Sequence, residues 1–289
     1  MDTAASGDAF TSLVSANWLA QNLNSPDLVI LDASRHLPAA KRDPAAEFAS
    51  GHIPGARFLD LANLTDKTSD VPAALPNAAQ LADRMAELGI NSGSRIVIYD
   101  DSAVRTSSRA WFVFKAHGIS NVAVLDGGLN AWREEGRALE SGPATIAACA
   151  PSALPAADGV ACKADLLANL DTDVHQILDA RGADRVFGSG IDPVHGGQNG
   201  RIPGALNLPF GQVFGEDGRF KSSEELRTVF EQSGTDLNAP IITTCGSGVT
   251  ACVLLFALHL MGKDDGQLYD GSWQEWEADP STPKQQGKS

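Results

Sequence analysis

Residues 240–258 read PIITTCGSGVTACVLLFAL, which joins a short β-type run, a turn of small residues and a long apolar run. The β-rich residues before the cysteine predict a buried strand, and the apolar residues after Thr250 predict a buried helix. A strand that ends in a tight turn and continues as a helix displays the first residue of that turn at the edge of a sheet. The residue displayed here is Cys245.

The turn itself favours a negative charge at Cys245. Gly246 and Gly248 let successive backbone N–H groups point toward one centre, and the start of the following helix adds partial positive charge. These surroundings favour the thiolate, which is the nucleophilic form of cysteine. The alternative interpretation is a structural cysteine buried after a core strand. The glycine spacing and the hydroxyl groups of Ser247 and Thr250 favour the nucleophile.

The chain carries one sequence pattern twice. Three motifs recur in the same order, 144 to 149 residues later: VILDA at 29–33 and QILDA at 176–180, GHIPGA at 51–56 and GRIPGA at 200–205, VLDGG at 124–128 and LYDGS at 268–272. A nearly constant separation indicates two tandem domains of one kind. We expect an N-terminal domain at 1–142, a linker rich in Ala and Pro at 143–158 and a C-terminal domain at 159–289.

Both copies alternate short β-type runs with helical patterns. In the first copy, we expect strands at 28–31, 96–99 and 122–125, and helices at 79–88 and 109–116. Alternation of this kind predicts the α/β class, with a mostly parallel sheet flanked by helices in each domain.

Composition restricts the partners. Acidic residues outnumber basic ones by 36 to 22 in 289 residues, a net charge of −14, which disfavours nucleic acid and anionic membranes as general partners. The four cysteines form no Cys-x-x-Cys pair, which favours a reducing compartment. Because Met1–Asp8 lacks the features of a secretion signal and no apolar run could span a bilayer, we expect a cytoplasmic protein. The sequence contains no zinc-finger spacing and no nucleotide-binding motif.

The segment Cys245–Ala251 resembles the active-site loop of the 3-mercaptopyruvate sulfurtransferases, a family of the rhodanese superfamily. Together with the repeat, the resemblance extends from about residue 10 to about residue 283. It implies two tandem rhodanese-like domains, of which one is catalytic. When the copies are aligned, Asp100 stands opposite Cys245. A carboxylate cannot carry a transferred sulfur atom, so the N-terminal domain is expected to be non-catalytic.

The resemblance also implies a reaction that requires neither a metal nor an organic cofactor. Cys245 would accept sulfur from 3-mercaptopyruvate as a persulfide, release pyruvate and pass the sulfur to a thiol, a thioredoxin-type protein or cyanide. Ser247, His52 and Asp43 would relay the proton of the donor thiol, and Arg185 would bind the donor carboxylate. The other substrate-binding positions would be those of the loop: Gly246, Gly248, Val249 and Thr250.

One departure from the family weakens the choice of donor. In the family, a second substrate-binding arginine follows the position of Arg185. In this chain, residues 188–197 read GSGIDPVHGG and contain no arginine, which leaves His195 and Arg201 as possible substitutes. Thiosulfate is therefore an alternative donor, and a non-catalytic binding module is a second alternative. A phosphatase is disfavoured, because the loop is short and carries no arginine up to Ala251.

Overall fold

The computed structural model describes residues 10–287. Within them the chain forms two halves, residues 10–142 (the first half) and 159–287 (the second half), each built on a five-stranded sheet. All strand pairings are parallel, and helices flank both sheets, so the predicted fold class is confirmed. The expectation about Met1–Asp8 lies outside the described residues.

The two halves repeat the same order of elements. The first half contains β1 (Leu13–Val14), α1 (Ala16–Asn22), β2 (Leu28–Asp32), α2 (Pro44–Ser50), β3 (Arg57–Phe58), α3 (Ala78–Glu87), β4 (Arg95–Tyr99), α4 (Thr106–Ala116), β5 (Val122–Leu125) and α5 (Gly128–Glu134). The second half contains β6 (Val160–Ala161), α6 (Lys163–Thr172), β7 (Gln176–Asp179), α7 (Ala183–Phe187), β8 (Leu206–Asn207), α8 (Ser223–Gln232), β9 (Ile241–Thr244), α9 (Ala251–Leu260), β10 (Gln267–Tyr269) and α10 (Ser272–Ala278).

The strand order places the loop that begins at Cys245 at the centre of its sheet. The orders are β1-β5-β4-β2-β3 and β6-β10-β9-β7-β8, so β4 and β9 occupy equivalent central positions. All four residues of β9 are buried, as expected for a strand covered on both faces. Cys245 directly follows β9, and the carboxyl ends of central parallel strands are where open α/β sheets bind ligands.

The halves pack against each other through their equivalent helices. Helix α4 lies against α9, and Trp111 meets Phe256 edge-to-face with ring centroids 4.9 Å apart. One hydrophobic core runs through residues of both helices. The loop between Cys245 and the start of α9 therefore lies on the side of the second half that faces the first half.

The expected linker carries no helix or strand at 143–158. It lies along the first half, where the Cys149 amide donates to the Ala86 carbonyl and the Asp158 amide to the Ala116 carbonyl. The exact domain boundaries stay a prediction. Among the residues described, no helix combines the length and apolarity that crossing a membrane demands.

Candidate active site

Cys245 lines a cavity of about 370 Å³ between the two halves. Only 2% of the residue is exposed, yet its neighbours Gly246, Ser247, Val249 and Thr250 open onto the same space. The first half closes the opposite side, with Arg35, His36 and Thr106 among its contributions. The sulfur is thus not sealed in hydrocarbon, because polar groups of both halves share its cavity.

The first two carbonyl groups of the loop point away from this cavity. The amide of Trp273 donates to the Cys245 carbonyl at 2.9 Å, and the amide of Gln274 donates to the Gly246 carbonyl at 3.0 Å. Both donors belong to the first turn of α10, whose free N–H groups need such acceptors. The first turn of α10 therefore fixes the side of the loop that faces away from the cavity.

A third carbonyl, that of Gly248, accepts from the Arg109 Nη1 atom at 3.2 Å. In a trans peptide the N–H points opposite to the C=O of the preceding residue, and the described residues contain no cis peptide bond. The amides of Gly246, Ser247 and Val249 consequently point in the opposite direction from the carbonyls of the residues that precede them. Because all three residues line the cavity, the loop forms a concave array of N–H donors suited to an anion.

Ser272 holds the loop from beneath. Its Oγ accepts from the amides of Cys245 at 3.1 Å and Gly248 at 3.0 Å, and donates to the Tyr269 carbonyl at 2.9 Å. The residue is fully buried and has φ 51°, a left-handed conformation that its counterpart Gly128 adopts at φ 60°. Sequence reasoning missed Ser272, although a serine where the repeat has glycine was the available signal.

Gly248 differs from the other predicted substrate-binding positions of the loop, because it lies outside the cavity lining. Its amide is bound to Ser272 and its φ is +74°. A Cβ at this position would lie 2.8 Å from the Asp270 carbonyl oxygen. Glycine is therefore required here for both backbone conformation and close packing.

In the first half, the equivalent loop encloses a carboxylate. Asp100 follows β4 as Cys245 follows β9, and its two carboxylate oxygens accept from the amides of Ser102 at 2.8 Å and Ser107 at 2.7 Å. Burial raises the pKa of the Asp100 carboxyl above its ordinary value. Two amide groups of this loop are thus bonded to a carboxylate of the loop itself, and no cysteine stands at its centre.

Arg185 reaches the cavity but is already paired. Its Nε and Nη2 atoms donate to both carboxylate oxygens of Asp192, at 2.7 to 3.1 Å. Burial acts to raise the pKa of Asp192, but the bonds from Arg185 and the Val194 amide outweigh it, and the pKa falls below its ordinary value. The two N–H groups of Nη1 and the second N–H of Nη2 stay outside this fork, but Asp192 neutralises the guanidinium, so Arg185 attracts a further carboxylate less strongly than the sequence suggested.

Of the two possible substitutes for the missing arginine, only His195 lines the cavity. A methyl group on Gly246 would overlap the His195 ring, which places the imidazole directly beside the residue after Cys245. Burial, followed by the charge of Arg185, lowers the pKa of His195 from its ordinary value. Arg201 is buried elsewhere, over the ring of Phe187.

The structure does not bring the three residues of the predicted relay, Ser247, His52 and Asp43, together in the cavity. His52 is 1% exposed, its Nδ1 bonds to the Phe48 carbonyl at 2.8 Å, and its ring stacks on Phe48. Asp43 caps α2 by accepting from the Ala45 amide at 3.0 Å. Both side chains serve the two ends of α2, and neither lines the cavity, so Ser247 alone of the three is present.

His36 and Arg35 stand on the cavity wall where the relay was expected. No motif marked either residue, because the segment after β2 is an irregular loop whose side-chain directions follow from the fold. The Nε2 atom of His36 lies at hydrogen-bonding distance, 2.9 Å, from a carboxylate oxygen of Glu47. Among residues 10–287, no group of three His, Cys, Asp or Glu side chains is placed to hold a metal ion.

Comparison with known proteins agrees with this architecture. The sequence model of the rhodanese-like domain matches residues 15–135 and 163–279. The mouse (Mus musculus) 3-mercaptopyruvate sulfurtransferase is 40% identical over 273 residues, covering 92% of this chain and 92% of that protein. The thiosulfate sulfurtransferase of Cricetulus griseus is 37% identical, covering 97% of each chain.

A solved structure shows the same arrangement. The crystal structure of the 3-mercaptopyruvate sulfotransferase SseA from Escherichia coli superposes with a TM-score of 0.82 at 36% sequence identity. The match covers 91% of this chain and 99% of that one. The relatives thus include proteins named for each of the two donors considered from the sequence.

Proposed function

The chain belongs to the rhodanese family, and from this membership we propose that it is a sulfurtransferase whose preferred donor is 3-mercaptopyruvate. Cys245 takes up the sulfur as a persulfide, and a small thiol, a thioredoxin-type protein or cyanide removes it. The observation that carries the proposal is the loop after Cys245: its bonded carbonyls point away from the cavity, and the amides of Gly246, Ser247 and Val249 are therefore directed toward it. An array of this kind stabilises a cysteine thiolate and the persulfide anion that replaces it.

The first half-reaction balances with no further reagent. The Cys245 thiolate forms a bond to the donor sulfur, and the carbon–sulfur bond of the donor breaks. Its electron pair leaves as the enolate of pyruvate, and the proton of the donor thiol ends on the methyl carbon of pyruvate. In the second half-reaction, the acceptor thiolate bonds to the outer sulfur and Cys245 leaves again as a thiolate.

We assign the proton transfer to His195. The imidazole is neutral at pH 7 because burial and Arg185 lower its pKa, so it can take the proton of the donor thiol and return it to the enolate carbon. Its place beside Gly246 supports this role. Ser247, which shares the cavity, supplies a hydroxyl that can bond to the donor.

Thiosulfate remains the second candidate donor, favoured by the 37% identity to a thiosulfate sulfurtransferase. Against it, the loop positions after Cys245 are the neutral Gly246 and Ser247.

All four cysteines are free thiols, which supports a reducing compartment such as the cytoplasm.

Intact mass spectrometry after incubation with donor tests the proposal. The wild-type protein should gain one sulfur atom, and the Cys245→Ser variant should gain none. Turnover should be faster with 3-mercaptopyruvate than with thiosulfate when cyanide is the acceptor. A wild-type protein that gains no sulfur from either donor would show a non-catalytic module, and faster turnover with thiosulfate would reverse the choice of donor.

A further inference from the structure

The cavity beside Cys245 contains one arginine, Arg35, whose guanidinium forms no direct bond with a carboxylate of the described residues, although the charge of Asp60 acts on it from a distance. Among the charged residues that line it, Arg181 pairs with Asp179 at 2.7 Å and Arg185 pairs with Asp192 at 2.7 Å. The guanidinium of Arg35 has no hydrogen bond or ion pair with any residue between 10 and 287.

Arg35 is held in place through its backbone. Its carbonyl accepts from the Ser102 Oγ atom at 2.5 Å, which ties the loop after β2 to the loop after β4. Burial, followed by the charge of Arg109, lowers the pKa of Arg35 below its ordinary value. An arginine remains charged under these conditions, so a half-buried positive charge stands on the cavity wall.

This charge lies close to the reaction centre. Arg35 is among the groups whose charge lowers the pKa of His195, the residue against Gly246. A half-buried guanidinium without an acceptor is unfavourable, and a bound oxyanion removes that cost by accepting two parallel hydrogen bonds. The charge of Arg185 is already neutralised by its bonded partner Asp192, so its attraction for a further carboxylate is weaker than that of Arg35.

We propose that Arg35, from the non-catalytic half, binds the carboxylate of the sulfur donor across the cavity from the Cys245 loop. The inference rests on the proposed sulfurtransferase function and adds its specificity determinant. The carboxylate of an α-keto acid would then be fixed by the first half while its sulfur faces Cys245. Donor selection would depend on the docking of the two halves.

Alkylation of Cys245 tests this geometry without any sulfur transfer. Iodoacetate carries a carboxylate and iodoacetamide does not, so the ratio of their rates at Cys245, followed by peptide mass spectrometry, reports the cavity's affinity for a carboxylate. The Arg35→Met variant should lower this ratio by about 10-fold, corresponding to the loss of a charge-assisted hydrogen-bonded pair. Arg35→Lys should retain part of it. Arg84→Met, which removes an arginine paired with Glu87 on the surface of the same half, should leave it unchanged.

Steady-state kinetics with 3-mercaptopyruvate provide the second measurement. Arg35→Met should lower kcat/KM by about 10- to 100-fold, mainly through KM, with Arg35→Lys intermediate. An unchanged alkylation ratio in Arg35→Met, or a wild-type Cys245 that reacts with neither reagent, would overturn the inference. If the wild-type protein shows the carboxylate preference but forms no persulfide, the sulfurtransferase proposal fails while the Arg35 site stands.

Discussion

Replacing Arg109 with Met should lower the free energy of unfolding by about 3–5 kcal/mol, the usual cost of leaving one partner of a buried ion pair alone. The Arg109 Nη1 atom lies 2.7 Å from the Asp270 Oδ1 atom, and the side chains are 7% and 9% exposed. Burial acts to lower the pKa of Arg109, but the charge of Asp270 outweighs it, and the pKa rises above its ordinary value. The pair joins α4 of the first half to the residue that follows β10 in the second.

The magnitude follows from what remains after each change. Without Arg109, the Asp270 carboxylate keeps only the bond from the Leu75 amide at 2.7 Å. Without the charge of Asp270, the guanidinium keeps the carbonyls of Gly248 and Ala73, which are neutral acceptors. The single variants Arg109→Met and Asp270→Asn therefore each retain one uncompensated buried charge. The double variant, which combines them, retains none. The double variant should be about 2 kcal/mol more stable than the sum of the single effects predicts.

Urea unfolding followed by tryptophan fluorescence measures this double-mutant cycle, with the transition slope compared among variants to test two-state behaviour. Arg84→Met serves as the surface control and should cost less than about 1 kcal/mol. Because Arg109 also holds the Gly248 carbonyl, persulfide formation should slow in both Arg109 variants. Single effects that add to within about 0.5 kcal/mol would refute the reasoning, since uncoupled residues add in this way.

Two further predictions concern the loop and its proton transfer. Ser272→Ala removes the shared acceptor of the Cys245 and Gly248 amides, and should cost about 1–3 kcal/mol in urea unfolding and slow persulfide formation; unchanged rates would show that Ser272 does not shape the loop. The pKa of His195 is lowered, so its neutral form persists as pH falls through 6.5, and the acidic limb of kcat/KM should lie below that pH. In His195→Gln this limb should disappear and kcat/KM should fall by about 100-fold; a profile identical to that of the wild type would exclude His195 from proton transfer.

The fold was predictable because its signals are local. Strands such as β4 and β9 are short runs of apolar and β-branched residues, and β9 is followed directly by the apolar run of α9. Because the sequence pattern occurs twice, the strand and helix patterns of one copy support those of the other. The alignment of the copies placed Asp100 opposite Cys245, which agrees with their equivalent positions after β4 and β9. Catalysis in only one half remains part of the proposal, supported by the carboxylate that fills the first loop.

The residues that line the cavity were less predictable from the sequence than the fold was. The relay of Ser247, His52 and Asp43 was assigned by matching motifs, but the same residue types also suit helix ends, and α2 uses two of them there. Ser272 was readable in principle, as a serine at a left-handed position of the repeat. No sequence pattern marked Arg35, because its loop has no periodicity that fixes the direction of a side chain.

The amino-acid sequence by itself determined two α/β domains and a cysteine at the carboxyl end of a central strand, since periodicity and glycine spacing act over a few residues. Only the tertiary structure decided which groups share the space around that cysteine. Arg35 and His195 come from irregular loops in different halves, and their meeting depends on how α4 packs against α9. Such contacts are set by the docking of two surfaces, a non-local property that no short stretch of the chain contains.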